Sequence, residues 1–374
     1  MSHCSQVENW SSTHKVMTKA LMRPESTEEA ERLVAEAFAD GRKLRIVGSA
    51  LSPNGIALSE EPMLTMGLCD KVLEVDPLSR RVRVEAGATV RQVVAALEPY
   101  ALTLQNYASI NEQQAGCVGG FTQIGAHGTG AAIPPVDEQV ISLRLATPSP
   151  LGTLHLSRES SPDLFSVVRV GLGALGLVTE VTLQCVPRHR LVEKTFVLTR
   201  EQVRQRHVEL LRENLHIKYM WIPYVDAVVV VACNPLGAGG ALIRRLTQVS
   251  PPGHLVTCAG AETTPAAVTA ATRAAERGAP LAPLRDLLLA STGEHGCRCA
   301  LAPKSLEGMS FADLRDRLLA AAPLDRDWVV QVNRAEAEFW RRSEGSRIDF
   351  SDRVLAFECG GQQWVHEVAF PCGE

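Results

Sequence analysis

Three glycine-rich segments of this chain have residue types that could do chemistry. Residues 171–176 (GLGALG) fit G-x-G-x-x-G, in which a glycine turn lets the pyrophosphate of a dinucleotide rest on a helix N-terminus. That arrangement would serve hydride transfer with a nicotinamide cofactor. Here the loop runs into LVTEVTLQC, whose alternation of apolar and polar residues predicts a strand. The context therefore disfavours a nicotinamide site and favours a glycine turn between a helix and a strand.

Residues 47–55 (VGSALSPNG) form the second segment and directly follow a predicted strand. Small residues there allow successive backbone N–H groups to turn towards an anion such as a phosphate. The alternative interpretation is a tight turn that binds nothing. Taken alone, the segment favours the alternative.

The third segment, residues 123–130 (QIGAHGTG), has three glycines with small neighbours and suits the close approach of a flat ligand. His127 is open to two interpretations, a histidine satisfied by backbone atoms or a catalytic one. The sequence has no Walker, GxSxG or HExxH pattern and no cluster of metal ligands, so we expect no metal.

The elements that must position these loops alternate between strand and helix in the first half. We predict strands at residues 15–20, 43–47, 72–75, 81–86 and 177–185, and helices at 28–40 and 89–97. After Arg188 the pattern changes to a charged helix at 200–215 and a buried strand at 228–232. Residues 234–305 are rich in Gly, Ala and Pro. The predicted fold is α+β, with domains at 1–188 and 189–374.

Composition excludes several classes of protein. The 374 residues are 45% hydrophobic and 21% charged, with a net charge of −4, which is typical of a globular protein and gives no reason to expect nucleic acid as a partner. No run approaches the roughly 18 apolar residues of a membrane helix. The ten cysteines form no CxxC pair, so neither a zinc site nor a redox dithiol is expected. Residues 1–8 are polar and show no targeting peptide.

In this order, the segments resemble the FAD-binding domain of vanillyl-alcohol-oxidase-type flavoproteins, also called the PCMH type, which has two subdomains. The likeness is greatest to the aldonolactone oxidoreductases, in particular the L-galactono-1,4-lactone dehydrogenases of plants and algae. It rests on NWSSTHKV, GSALSPNGIALS, LTLQNYASI, IGAHGTGA, PPVDEQVISL, KYMWIPYVD, AEAEFW, RRSEG and CGGQQWV. It covers about residues 9–371 and is weak across 234–305. The second half then corresponds to a substrate cap domain.

The resemblance implies which residues would hold FAD. Backbone N–H groups of residues 48–52 would surround the pyrophosphate. Leu51 stands where covalent relatives have a histidine bonded to the flavin, so non-covalent FAD is expected. Ala108 stands where lactone oxidases have glycine; its methyl group would hinder dioxygen, although simple packing is the alternative. The implied FAD-binding residues are Val47, Gly48, Ser49, Ala50, Leu51, Ser52, Ala108, Ser109, Gly125, Ala126, His127, Gly128, Thr129, Gly130, Gly176 and Val178.

The implied reaction is oxidation of L-galactono-1,4-lactone to L-ascorbate with cytochrome c as electron acceptor, in the mitochondrial inner membrane or intermembrane space. Two alternatives stay open. One is a non-catalytic role in respiratory complex I assembly, and the other is an oxidase of the same fold acting on another lactone or polyol.

Two departures from the family affect these expectations. The stretch AGCVGGFT, between Gln114 and Gln123, is about three residues longer than expected and adjoins the flavin loop. The family's catalytic Glu-x-Arg pair is absent, because no glutamate here is followed two residues later by arginine. No catalytic residue is therefore identified, and a truncated chain is expected rather than a divergent one. Gln362 and Trp364 are loose candidates for substrate contact.

Overall fold

The computed structural model describes residues 4–106, 108, 116–237, 280–291 and 308–356. Their helices and strands form an α+β fold, as the sequence predicts. The chain divides into two compact units. The first contains residues 4–128 and 134–188, and the second contains Thr129–Ile133 and the described residues from His189 onwards. In the described part of the chain, no helix is both long and apolar enough to cross a bilayer.

The first unit contains a small parallel sheet, ordered β3 (Leu21–Met22), β5 (Met63–Leu64) and β4 (Arg45–Ile46). Helix α1 (Thr27–Ala39) connects β3 to β4 and begins after Ser26, whose hydroxyl accepts the N–H of Glu29. The helix buries Ala30, Val34 and Ala37, which recur at helical spacing. This βαβ arrangement leaves the loop after β4 beside β5.

A five-stranded antiparallel sheet forms the rest of the first unit's framework. Its order is β10 (Thr153–Ser157), β9 (Val140–Ala146), β11 (Leu177–Gln184), β7 (Arg81–Glu85) and β6 (Val72–Asp76). Strands β6 and β7 pair as an antiparallel hairpin. In β11, buried Val181 and Leu183 alternate with partly exposed Thr182 and Gln184, as the sequence pattern predicts.

Short elements complete the first unit. Thr89 and Gln92 make a capping box at the start of α2 (Val90–Leu97). The other helices are α3 (Val118–Gln123) and α4 (Pro162–Val168), and two small ladders pair β1 (Ser5–Glu8) with β2 (Lys15–Thr18) and β8 (Leu102–Thr103) with β12 (Val186–Pro187).

The second unit has a four-stranded antiparallel sheet, ordered β14 (His216–Ile222), β15 (Ala227–Pro235), β13 (Arg190–Leu198) and β16 (Gly345–Phe350). Helix α5 (Arg200–Glu213) covers one face by packing Leu210 against Ile217 and Val230. On β15, neighbouring side chains point to opposite faces, so Val229 packs instead with Ile222 and Ala337.

Ala337 belongs to α8 (Arg326–Arg342), which also forms a separate helical core with α6 (Ala282–Ser291) and α7 (Phe311–Ala321). The indole Nε1–H of Trp328 in that core donates to the Leu318 carbonyl at 2.7 Å. A short α9 (Ser351–Val354) follows β16.

The elements predicted from sequence are confirmed to within a few residues, but one side chain is not where the pattern puts it. The sequence pattern of Leu33, Val34 and Phe38 predicts that these residues share the apolar side of α1, but the Phe38 side chain is 48% exposed. The reason is angular: Ala30, Val34 and Ala37 already occupy the stripe that faces the sheet, and Phe38 lies about 100° further around the helix.

Candidate cofactor site

The loop after β4 is shaped by long-range backbone contacts. The N–H of Val47 continues the sheet by donating to the Leu64 carbonyl at 2.9 Å. Ala50 then adopts a left-handed conformation with φ of 52°, and its carbonyl accepts the N–H of Trp10 at 3.1 Å. A non-glycine residue in this region is strained, so the turn is held by its surroundings.

The N-terminal motif NWSSTH holds the far end of this loop. Asn9 is 3% exposed, and its Oδ1 accepts the backbone N–H groups of Thr13 and His14 at 3.0 Å each. Its Nδ2 donates to the Ser52 carbonyl at 3.0 Å, and the Thr13 hydroxyl donates to the Pro53 carbonyl at 3.0 Å. The motif therefore acts as a clamp on residues 52–53. In the sequence, this motif contributes only to the family resemblance, and its contacts with residues 52–53 are not predicted.

Helix α3 lies directly against the start of the loop. The N–H of Cys117 donates to Ser49 Oγ at 3.0 Å, and a Cβ added to Gly48 would be 3.0 Å from Cys117 Sγ and 3.4 Å from the Gly120 Cα. The described part of the longer stretch AGCVGGFT thus forms this helix and packs on the loop. Glycine at residue 48 allows the close approach.

Five consecutive backbone groups of the loop stay without a protein acceptor. Among the hydrogen bonds of the described residues, none has the N–H of Gly48, Ser49, Ala50, Leu51 or Ser52 as donor, whereas the carbonyls of Ala50 and Ser52 are both used. Partly exposed N–H groups in a row on small residues are a binding site for an anion such as a pyrophosphate. The loop therefore fits the phosphate part of a dinucleotide such as FAD.

The third glycine-rich segment, residues 123–130, turns at Gly125, which has a φ of 63° after helix α3. The N–H of Ala126 donates to the Phe121 carbonyl at 3.3 Å. The carbonyl of Ala126 accepts the N–H of Val136 at 2.8 Å. His127 is exposed, with Nδ1 at 2.9 Å from the carbonyl oxygen of Gly128. This carbonyl is a backbone partner of the kind that the non-catalytic interpretation of His127 requires.

Asn106 and Ala108 are buried residues that follow strand β8. Asn106 is 1% exposed and donates through Nδ2 to the Pro134 carbonyl at 3.1 Å, while its Oδ1 has no partner. Ala108 is 5% exposed, so its methyl group is buried. Residues 134–136 therefore tie the segment with Ala108 to the loop with Ala126. Ser109 lies outside the described residues, as do Gln362 and Trp364.

The glycine run GLGALG runs straight into β11 with no helix, as predicted. A Cβ on Gly176 would lie 2.3 Å from the Ala146 carbonyl oxygen, and its φ of 147° is open to glycine. Gly173, with φ of 71°, lies close to Ile46, which directly precedes the loop of residues 47–55. Val178 is 5% exposed and pairs with Leu145 inside the sheet.

A cavity of about 330 Å³ lies behind this run, lined by the end of α1, by Ile46 and by Gly173 and Gly176, with the half-exposed Phe38 at its side. Thr129 and Gly130 belong to the second unit. No group of three or more metal-ligating side chains occurs among the described residues.

Comparison with known proteins agrees with this geometry. Residues 18–155 match the model of the FAD binding domain family. The chain is 47% identical over 98% of its length to L-galactono-1,4-lactone dehydrogenase 2, mitochondrial, of Oryza sativa subsp. japonica, and 47% identical over 98% to the mitochondrial enzyme of that name from Arabidopsis thaliana. The chain is therefore similar to aldonolactone oxidoreductases along almost its whole length. It spans 58% and 56% of the lengths of those two relatives.

A more distant aldonolactone oxidoreductase, L-gulonolactone oxidase of Bos taurus, is 33% identical over 60% of the chain and 50% of its own length. Solved structures show the same fold. A cholesterol oxidase from Brevibacterium sterolicum has a TM-score of 0.60 at 14% identity, covering 96% of this chain and 62% of its own. An alkyldihydroxyacetonephosphate synthase has a TM-score of 0.51 at 17% identity, covering 61% of this chain and 49% of its own. The FAD-binding fold and the resemblance expected from the sequence are confirmed.

Proposed function

We propose that this chain binds FAD non-covalently and that its protein oxidises an aldonolactone. The observation that carries the proposal is the row of five N–H groups at residues 48–52 without a protein acceptor. The pyrophosphate carries negative charge, and N–H groups fixed by the surrounding fold stabilise it at little conformational cost. The clamp of Asn9 and the contact between Ser49 and Cys117 fix those groups.

Other residues that the resemblance implies would contact the flavin in different ways. We assign FAD contacts to the residues that the resemblance implies in the two loops at 47–52 and 125–130 and in the segments around Ala108 and Gly176. Leu51 has no nucleophilic atom, so nothing at that position can bond to the ring. When bound, FAD supplies the hydride acceptor for lactone oxidation. Buried Ala108 would shield the reacting face of the flavin from dioxygen, so that the protein acts as a dehydrogenase.

For the substrate we propose L-galactono-1,4-lactone, because two relatives at 47% identity have that lactone in their names. The acceptor proposed from the resemblance is cytochrome c. The same relatives are named mitochondrial, so we propose a mitochondrial location, in the inner membrane or intermembrane space. Assembly intermediates of respiratory complex I are the further proposed partner. Pull-down of complex I subunits from mitochondria by the tagged protein would support that partner, and their absence would argue against it.

Binding of FAD by the full chain is the first test. The purified protein should show flavin absorption, and acid precipitation should release the flavin into the supernatant. Flavin retained in the precipitate would contradict the assignment of Leu51. Gly48→Ala should weaken FAD binding, because its methyl group would press on Cys117 Sγ at 3.0 Å. Gly67→Ala is the matched control, since its nearest atom is Thr65 Oγ1 at 3.6 Å.

Turnover is the second test. With bound FAD, addition of L-galactono-1,4-lactone should reduce cytochrome c and consume no oxygen. Oxygen consumption with peroxide formation would instead identify an oxidase of the same fold. An FAD-loaded protein that oxidises no lactone would contradict the enzymatic proposal and leave FAD binding intact.

A further inference from the structure

The loop that begins at Gly125 ends in the second unit, where residues 129–131 lie along the outer edge of β14. The N–H of Ile217 donates to the Thr129 carbonyl at 2.9 Å, and the N–H of Ala131 donates to the Leu215 carbonyl at 2.9 Å. Gly130 and His216 form an antiparallel bridge between these two bonds. The chain after Gly128 is therefore a short additional strand of this sheet.

His216 is the buried polar side chain at this bridge. It is 2% exposed, and its Nδ1 lies 3.5 Å from the hydroxyl oxygen of Thr129. Burial, and to a smaller extent the neighbouring His189, lowers the pKa of His216 to about 3. The imidazole is therefore neutral at physiological pH, and it can exchange a hydrogen bond with a hydroxyl without bringing a charge into the fold.

Packing next to the bridge fixes the path of the chain. A Cβ on Gly130 would lie 2.6 Å from the Cβ of Ile133, so the chain folds tightly back at that glycine. Ile133 in turn packs on Leu215, and both side chains are buried. Gly130 is thus required by this turn, whatever the ligand of the preceding loop.

We propose that His216 is a positioning residue that fixes the end of the FAD-binding loop at Thr129. The proposal rests on the proposed function, because it takes residues 125–130 as a flavin contact. Hydrogen bonds of Ala126 hold the start of the loop, and the β14 edge with His216 holds its end. Because Thr129 is bonded to Gly128, fixing Thr129 on the β14 edge restricts the conformations open to Gly128 before the ligand arrives, which lowers the entropic cost of binding.

The test uses the full chain and titrates FAD into four variants. His216→Leu removes the imidazole, and Thr129→Val removes the hydroxyl while keeping the shape. Each should raise the dissociation constant of FAD about three- to tenfold, as expected for the loss of one hydrogen bond. The double variant should bind no more weakly than either single one, because both changes remove the same contact. His216→Asn keeps a polar atom near the Nδ1 position and should restore most of the affinity.

A structural control separates positioning from loss of stability. Val229→Ala makes a cavity on the opposite face of the same sheet, in a cluster with Ile222 and Ala337 that includes none of residues 129–133. It should lower the melting temperature and leave FAD affinity unchanged. Hydrogen exchange at the Ala131 amide should accelerate in His216→Leu and not in Val229→Ala.

Two results would overturn the proposal: equal FAD affinities in His216→Leu and Val229→Ala at similar stability, or additive effects of the His216→Leu and Thr129→Val changes. Should His216→Leu fail to fold, Thr129→Val with unchanged FAD affinity would overturn it equally. If the unaltered chain does not bind FAD, the proposed function fails, and this proposal fails with it. Normal FAD binding with unaffected variants overturns the proposal alone.

Discussion

The backbone N–H of Cys117 donates to the side-chain oxygen of Ser49 at 3.0 Å, although 68 residues separate them in sequence. This bond joins the start of helix α3 to the loop whose N–H groups have no protein acceptor. Since Ser49 Oγ accepts from Cys117, the hydroxyl proton of Ser49 is available to donate elsewhere. One contact thus fixes the loop and leaves a donor on it.

Ser49→Ala should therefore destabilise the first unit. Cys117 is 7% exposed, and its N–H would lose its acceptor, at a cost of about 1–3 kcal/mol in unfolding free energy. Urea unfolding measures the loss, and FAD titration should show weaker binding as well. Ser59→Ala, which removes a local contact to the Glu61 N–H, is the control and should have less effect on both. Equal losses in the two variants would count against the role given to Ser49.

Gly176→Ala should be among the most damaging changes in the first unit. Its methyl group would meet the Ala146 carbonyl oxygen at 2.3 Å, and its φ of 147° is unsuited to alanine. We expect a loss of at least about 3 kcal/mol by urea unfolding. Gly152→Ala separates the two causes, because Gly152 also has positive φ, at 64°, and has open space around it. That variant should lose only about 1 kcal/mol.

Ala108→Gly should raise the reactivity of the reduced flavin with oxygen. Ala108 is 5% exposed, and removing its methyl group would open a path for dioxygen. FAD bound to the full chain is reduced with dithionite and mixed with aerated buffer, and reoxidation should be several-fold faster in the variant. Ala88→Gly removes a buried methyl group elsewhere in the unit and should leave the rate unchanged. An unchanged rate in Ala108→Gly would assign Ala108 to packing.

His216 should make the stability of the second unit depend on pH below neutrality. Burial lowers its pKa from an ordinary 6.5 to about 3 in the folded chain. Its contribution is complete above pH 6.5 and is lost as the pH falls towards 3, because the unfolded chain then binds a proton that the folded chain does not. The limiting slope is about 1.4 kcal/mol per pH unit. Urea unfolding across this range should show a shallower slope in His216→Asn, and parallel curves would contradict the assignment.

The sequence predicts best where the signal is local. The alternation in residues 177–184 and the helical spacing of Ala30, Val34 and Ala37 each depend on a few neighbouring residues and one buried face. Both elements are present in the structure. The three glycine-rich loops could likewise be found from glycines beside a strand or helix.

Contacts over long distances in sequence could not be predicted in this way. Asn9 binds the Ser52 carbonyl 43 residues away, and a polar run such as NWSSTH indicates a local turn without naming its partner. Gly130 looked like part of one glycine loop, yet the structure places it in a different unit from Gly125. Gly130 pairs with His216 on β14, which places it in the second unit, and His216 lies more than 80 residues later in the sequence.

The strand formed by residues 129–131 also governs how the protein can be dissected. A cut after Arg188, where the chain enters the second unit again, would leave this strand in the N-terminal fragment and β14 in the other. The first fragment would expose Ile133 to water, and the second would present an unpaired strand edge at His216, open to pairing with another chain. Separate expression of the halves thus demands that both be designed around this short segment.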